Sequence, residues 1–178
     1  MARRLTVAFA ALLALAFPLA GCGGEEEELD VAEGEPIEAD DVSYNVVISR
    51  FLNPDDTADG AYLDEQPPPP PEQEYFGVFM QVANEGEEET VLPDELTVTD
   101  TLENEYKPVE TESPFALPLG TILSPGEEYP EVDSVAFDGP TGGSMILFLI
   151  EEASTENRPL ELEIALPSGK TGVVELDI

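Results

Sequence analysis

The chain has 178 residues, of which 40 are Asp or Glu and 6 are Lys or Arg, so its formal net charge is −34. A surface this acidic repels nucleic-acid phosphates and anionic lipid headgroups, which excludes nucleic-acid binding. The chain has no histidine and one cysteine. Catalytic sites built on Ser–His or Cys–His pairs, and zinc sites built on histidine or several cysteines, are therefore excluded.

The first 22 residues have the order of a secretory signal. Arg3 and Arg4 give a positive start, Leu5–Leu19 is largely apolar, and two small residues precede Cys22. The apolar run is shorter than the ~20 residues of a comfortable bilayer crossing. We therefore expect a cleaved signal peptide over residues 1–21 and not a retained membrane helix.

The end of this leader, Leu19-Ala20-Gly21-Cys22, resembles the lipobox of bacterial lipoproteins. The resemblance implies that the thiol of Cys22 receives a diacylglyceryl group and that the leader is cut just before it. Two acyl chains give stable attachment to a bilayer. The implied location is the outer face of the bacterial cytoplasmic membrane, exposed to the exterior. The alternative is an ordinary secreted protein with a chance cysteine near the cut.

Residues 22–41 are rich in glycine and glutamate and contain few apolar side chains. Such a segment buries too little surface to fold, and repulsion between its charges extends it. We expect a flexible acidic tether that lifts the following domain off the membrane. After cleavage, 4 basic residues would remain against 40 carboxylates, a formal charge of −36.

Residues 42–178 are expected to form one all-β domain. It opens with Tyr44, Val46 and Ile48, which recur at every second position, the period of a strand. Residues 53–74 break this pattern and contain the five prolines of Pro67–Pro71. Because a proline run is extended and lacks amide hydrogens, this segment predicts a long surface loop.

The strongest strand pattern is Tyr75–Asn84. One face carries Phe76, Val78, Met80 and Val82, and the other carries Tyr75, Phe79, Gln81 and Ala83. The continuously apolar segment Met145–Ile150 predicts a central strand covered on both faces. Ser124-Pro125-Gly126-Glu127 predicts a tight turn, because proline and glycine suit its two central positions.

Shorter strand patterns occupy Leu96–Leu102, with Thr97 and Thr99 facing out, and then Asn104–Val109, Glu131–Phe137, Leu160–Ile164 and Val174–Ile178. No segment after the leader has a convincing helical repeat. Short strands separated by turns predict an antiparallel two-sheet β-sandwich of about 7–9 strands.

The order of these features resembles the immunoglobulin-like domain of uncharacterised bacterial lipoproteins and secreted surface antigens. The stretches that carry the resemblance are 75–86, 123–127, 135–140 and the final strands. The resemblance implies a sandwich and no agreed activity or catalytic residues. The chain lacks the Cys…Trp…Cys pattern of antibody domains.

One motif suggests a cation site. Asp55, Thr57 and Asp59 are followed by Gly60, which approximates the start of an EF-hand calcium loop. Position 12 of that loop is Gln66, which cannot supply the bidentate carboxylate. We therefore expect at most weak calcium binding, with an acidic solvated loop as the simpler interpretation, and no other cofactor.

The same loop suggests a docking surface. Tyr62, Leu63 and Tyr75 lie near Pro67–Pro71 in the sequence, and proline-rich segments are recognised in aromatic grooves. The simpler interpretation is that the prolines stiffen a long loop. No residue that flanks the proline run is diagnostic of a particular ligand.

Taken together, these features favour a non-catalytic, lipid-anchored interaction or structural module, with a protein of the cell envelope as its expected partner. A calcium- or solute-binding receptor using the 53–66 loop is the second hypothesis. A hydrolase using only carboxylates is the third and least favoured, because any pair among 40 carboxylates is expected by chance.

Overall fold

The computed structural model describes residues 28–178. The predicted signal peptide, Leu19, Ala20, Gly21 and Cys22 lie outside the described residues. In chain order the strands are β1 Glu28–Ala32, β2 Ile37–Ala39, β3 Val42–Leu52, β4 Gln73–Asn84, β5 Thr90–Val91, β6 Leu96–Thr99, β7 Glu105–Tyr106, β8 Ile122–Leu123, β9 Glu128–Tyr129, β10 Ser144–Glu151, β11 Leu160–Ala165 and β12 Thr171–Leu176. A four-residue helix, α1 (Thr57–Gly60), and a 3-10 helix at Glu152–Glu156 are the helical segments of this part of the chain.

The strands form two five-stranded sheets and one separate pair. Sheet A has the order β1-β12-β11-β6-β7, and sheet B has the order β10-β4-β3-β2, with β9 beside the C-terminal end of β4. β5 pairs with β8. Among the described strands, neighbours are antiparallel except β1 and β12, which are parallel. The predicted all-β sandwich is confirmed.

Sheets A and B pack through one hydrophobic core. The predicted inner face of β4 is confirmed, since Phe76, Val78, Met80 and Val82 all lie in this core with residues of β11 and β12. Each fully buried side chain of this size contributes about 1.5–3 kcal/mol. Thr97 lies between the core residues Leu96 and Val98 and on the opposite face, as predicted, but it is only 8% exposed. The amine of Lys107 donates to its hydroxyl at 2.5 Å.

A second apolar cluster covers half of the outer face of sheet B. Phe79 and Leu147 belong to it, together with Tyr62 and Leu63 from the loop after β3. Strands β4 and β10 are thus buried on both faces, as predicted for Met145–Ile150. The outer edge of β10 is closed by main-chain hydrogen bonds from Val109 N to Leu147 O and from Leu117 N to Met145 O, both 2.8 Å.

A β-bulge changes which side chains of β3 face the core. Tyr44 and Val46 point inward, but the register shifts between Val46 and Ile48. An extra residue in one strand moves every later side chain to the opposite face. The predicted continuation of the inner face to Ile48 is therefore wrong, and this side chain lies on the outer face, opposite Phe79 and 37% exposed.

The predicted tether is wrong for residues 28–41, which belong to the sandwich. Strand β1 pairs with β12, and Leu29 and Val31 pack against the core. The connection to β2 is also bound to the fold, since Gly34 N donates to Val46 O at 2.8 Å. Alternate apolar positions and a free edge on β12 are enough to order this acidic segment. Residues 22–27 of the predicted tether lie outside the described residues.

Two shorter predictions also fail. Glu131–Phe137 is a series of turns closed by Ser134 N to Glu131 O at 3.1 Å and Asp138 N to Ser134 O at 3.0 Å. The strand in this region is β9, which ends just before the predicted segment and pairs with the end of β4. Leu102 is 67% exposed, because the chain turns immediately after β6. The turn at Ser124–Glu127 is confirmed, with Gly126 at φ +72°.

Candidate functional site

The uncovered half of the outer face of sheet B forms a groove of about 310 Å³. Its floor comes from the part of β3 before the bulge and the end of β4, where Ser43 is opposite Ala83 and Asn45 is opposite Gln81. We call this depression, lined by these four residues with Glu85, Glu128, Tyr129, Pro130, Phe137 and Pro36, the sheet B groove.

The walls of the sheet B groove are apolar. Tyr129 and Pro130 stand at the end of β9, and Phe137 comes from the turns that follow. The Phe137 side chain is 46% exposed, although an aromatic ring of this size is normally buried. The loop that carries Phe137 is held against the floor, because Gln81 Nε2 donates to Gly142 O at 2.8 Å.

Polar side chains lie on the floor of the groove. The side-chain oxygen of Asn45 is buried and accepts no hydrogen bond from the described residues. An unsatisfied buried acceptor costs about 1–3 kcal/mol. Ser43 already donates its hydroxyl hydrogen to Glu38 at 2.9 Å. The acceptors that a molecule entering the groove can reach are the carboxylates of Glu85 and Glu128.

The electrostatic environment of the groove is negative. Glu85 and Glu128 line it, and no lysine or arginine of the described residues does so. Burial raises the pKa of the Tyr129 phenol, and the carboxylates of Glu127 and Glu131 raise it further, so the ring stays neutral. Positive charge and hydrogen-bond donors are complementary to such a site.

The structure separates the three predicted calcium ligands. Asp55 and Thr57 are exposed, whereas Asp59 is only 7% exposed. Asp59 Oδ1 accepts from Arg50 at 2.6 Å, and its Oδ2 accepts from Asn53 N at 2.9 Å. Between residues 28 and 178, no three carboxylates converge as a metal ion would require. Calcium binding by this loop stays a prediction, and Arg50 would compete with the cation for Asp59, the last of the three predicted ligands.

The ion pair between Arg50 and Asp59 fixes the loop after β3. The guanidinium also lies 5.6 Å from the ring centre of Tyr62 and 5.8 Å from that of Phe79. Burial alone would raise the pKa of Asp59, but the hydrogen bonds from Arg50 and Asn53 outweigh it and lower this pKa. The sequence pattern missed this role because Arg50 and Asp59 meet only when the loop folds back.

The aromatic part of the predicted proline docking surface is not exposed. Tyr62 and Leu63 are 2% and 7% exposed, and Tyr75 is buried in the same cluster, so this prediction is wrong for these side chains. The Tyr75 hydroxyl donates to Pro67 O at 2.8 Å. The proline run is thus attached to the sandwich by Tyr75.

A larger groove of about 980 Å³ lies between β6 and β10. Several of its apolar lining residues, such as Leu96 and Met145, are almost fully buried, and both Lys107 and carboxylates such as Glu110 line it. The edge of β10 is already paired with the 109–117 segment. We therefore place the candidate site in the sheet B groove, where the side chain of Phe137 is 46% exposed and the carboxylates of Glu85 and Glu128 also line the depression.

The most perturbed carboxylate of the described residues is structural. Asp100 accepts five hydrogen bonds, from Leu102 N, Asn104 N, Asn104 Nδ2, Ser154 Oγ and Asn157 Nδ2. Burial alone would raise its pKa, but the bonds from Asn104, Ser154 and Leu102 hold the pKa of this carboxyl well below its ordinary value. With its acceptor positions filled, Asp100 joins a turn to the 3-10 helix.

No protein-family model matches the chain, and no curated protein sequence matches it. Three solved structures are similar to it in overall fold. They are an uncharacterised β-sandwich protein from Clostridium difficile 630 (17% identity, 86% of this chain and 97% of that chain, TM-score 0.49), the YjhA protein of Bacillus subtilis (11%, 84% and 99%, 0.47) and a conserved hypothetical protein from Bacillus anthracis (10%, 81% and 94%, 0.48). At these identities no residue role is transferred. None of the helical segments between residues 28 and 178 has the length and apolarity that a membrane crossing needs.

Proposed function

We propose that this protein is a lipid-anchored, non-catalytic interaction module held at the outer face of the bacterial cytoplasmic membrane. The observation that carries the proposal is the leader ending in Leu19-Ala20-Gly21-Cys22, followed within a few residues by a folded sandwich. The expected partner is a protein of the cell envelope.

The position of β1 determines how far the module reaches from its anchor. Glu28 follows Cys22 by six residues. Six residues of fully extended chain span at most about 20 Å, compared with about 65 Å for the 20-residue tether expected from composition. The sandwich is therefore held close to the bilayer, and its partner is one that lies near the membrane surface.

The non-catalytic part of the proposal rests on the two most perturbed carboxylates. Perturbed acids in clefts are the usual candidates for general acids and bases. Asp59 is paired with Arg50, and Asp100 accepts five hydrogen bonds from its own domain. Neither has a free position from which to transfer a proton to a substrate, and neither lines the sheet B groove.

The anchor is tested by expressing the wild type and Cys22→Ala in a bacterial host, with and without globomycin. We expect the wild-type protein to partition with detergent and to carry the mass of a diacylglyceryl group on residue 22. We expect Cys22→Ala to be water-soluble, and Cys22→Ser serves as a second control that keeps a polar side chain. A wild-type protein with a free sulfhydryl at position 22 would refute the proposal.

A further inference from the structure

The geometry of the sheet B groove points to a specific ligand chemistry. We propose that it binds the lysine or arginine side chains of an extended basic segment in a partner protein. This inference rests on the proposed function as an interaction module, and it names the chemistry of the partner. Its test does not depend on the lipid anchor.

The charge of the groove selects a cation. Glu85 and Glu128 line it, Glu38 accepts a hydrogen bond from its floor residue Ser43, and the charge of Glu131 acts on Tyr129. The net charge of −34 adds a long-range attraction for a basic partner. The same charge repels a second copy of this chain, which is therefore not the occupant.

The shape of the groove suits a long aliphatic stem with a charged end. Pro130 and the half-exposed ring of Phe137 form an apolar wall along which the methylene groups of lysine or arginine can pack. A cation that reaches the face of Tyr129 or Phe137 gains a further attraction from the ring. The small side chains of Ser43 and Ala83 leave room at one end of the floor.

The hydrogen-bonding groups of the groove favour the same ligand over a carbohydrate. The carboxylates of Glu85 and Glu128 accept hydrogen bonds and donate none. Ammonium and guanidinium groups are donors without acceptors. A sugar hydroxyl needs both donors and acceptors, and it makes no use of the negative charge. A neutral glycan is therefore the alternative that the test must separate.

The test uses the full chain carrying Cys22→Ala, so that no membrane is present. The ligand is a capped decapeptide of alternating lysine and serine, and its control is the same peptide with every lysine acetylated. Chitohexaose represents neutral glycans. Binding is measured by calorimetry at about 0.15 M salt, where diffuse attraction is screened beyond about 8 Å. Unfolding temperatures of all variants verify that they fold.

Two double variants remove the same charge from opposite sheets. Glu85→Gln with Glu128→Gln changes the groove, and Glu161→Gln with Glu163→Gln changes the outer side of β11 in sheet A. We expect the groove variant to weaken binding of the lysine peptide about tenfold and the sheet A variant less than about twofold. Phe137→Ala should weaken it about two- to fivefold through loss of the ring contact.

Several results would overturn the inference. One is equal weakening by the two double variants, which would indicate diffuse attraction to an acidic protein. Another is undiminished binding of the acetylated peptide. A third is tighter binding of chitohexaose, lost in Phe137→Ala, which would assign the groove to glycans. Absence of peptide binding would also refute it, while the lipid anchor and its test would stand.

Discussion

Replacing Asp100 by asparagine should destabilise the protein by about 3 kcal/mol near neutral pH. The asparagine oxygen can keep the two main-chain donors, Leu102 N at 2.9 Å and Asn104 N at 3.0 Å. Its NH₂ group, however, replaces the oxygen that accepts from Asn104 Nδ2 at 2.9 Å, Ser154 Oγ at 2.8 Å and Asn157 Nδ2 at 3.2 Å.

The magnitude follows from how many of these donors lose their acceptor. The Ser154 hydroxyl can rotate and accept from the new amide, while the two asparagine donors lose a charged partner. Each charge-assisted hydrogen bond is worth about 1.5–3 kcal/mol, and amide reorientation recovers part of the loss. For a domain of this size, the change corresponds to a fall of about 6–12 °C in the unfolding temperature.

The pH dependence gives an independent measure. Because the folded pKa of Asp100 is lowered, its contribution is fully present above the unfolded pKa of about 3.9 and is lost as pH falls toward the folded value. The stability difference between wild type and Asp100→Asn should therefore be about 1 kcal/mol smaller at about pH 3 than near pH 7. General charge effects of the other carboxylates cancel in this comparison.

The assay is urea unfolding of both proteins, with Asp64→Asn as the matched control. Asp64 is exposed, so its replacement should change stability by less than about 0.5 kcal/mol. A loss below about 1 kcal/mol for Asp100→Asn, or a difference that does not shrink in acid, would refute the reasoning.

Three further predictions concern the loop after β3 and the first strand. Arg50→Met should cost about 2–4 kcal/mol in urea unfolding, because buried Asp59 keeps only the Asn53 amide, and adding Asp59→Asn should recover part of the loss. Millimolar calcium should raise the unfolding temperature no more than equal magnesium does, since Arg50 occupies Asp59; a calcium-specific rise lost in Asp59→Asn would contradict this. Val31→Asp should release β1 and speed hydrogen exchange in β12 at a cost of about 1–2 kcal/mol, whereas Asp30→Ala, which changes an exposed side chain of the same strand, should leave exchange unchanged.

The sequence predicted the body of the sandwich because burial repeats with a simple period there. In β4, alternate apolar residues such as Phe76 and Val78 lie on the predicted face. The continuous apolar run of β10 is buried on both sides for the same reason. Predictions from local patterns fail where an adjacent strand determines whether a segment is ordered or which face a side chain occupies. Acidic β1 is ordered by the open edge of β12, and the bulge reverses Ile48.

The candidate site could not be predicted from local sequence patterns, because segments that are distant in the sequence form it. The floor of the groove combines two pairs of residues that lie about forty positions apart in the sequence, Ser43 with Asn45 and Gln81 with Ala83. Only the pairing of β3 with β4 brings the two pairs together. Phe137 was expected in a strand, and its exposure follows from the turns after β9. No motif marks these residues.

By itself, then, the sequence determined the all-β class, and it predicts a leader that ends in Cys22, because composition and periodicity are local properties of a chain. Tertiary structure alone decided where the sandwich begins, which partner Asp59 takes and which half of sheet B stays open. Those outcomes depend on strand register and on loops that return from distant positions, and neither is encoded in any short stretch of residues.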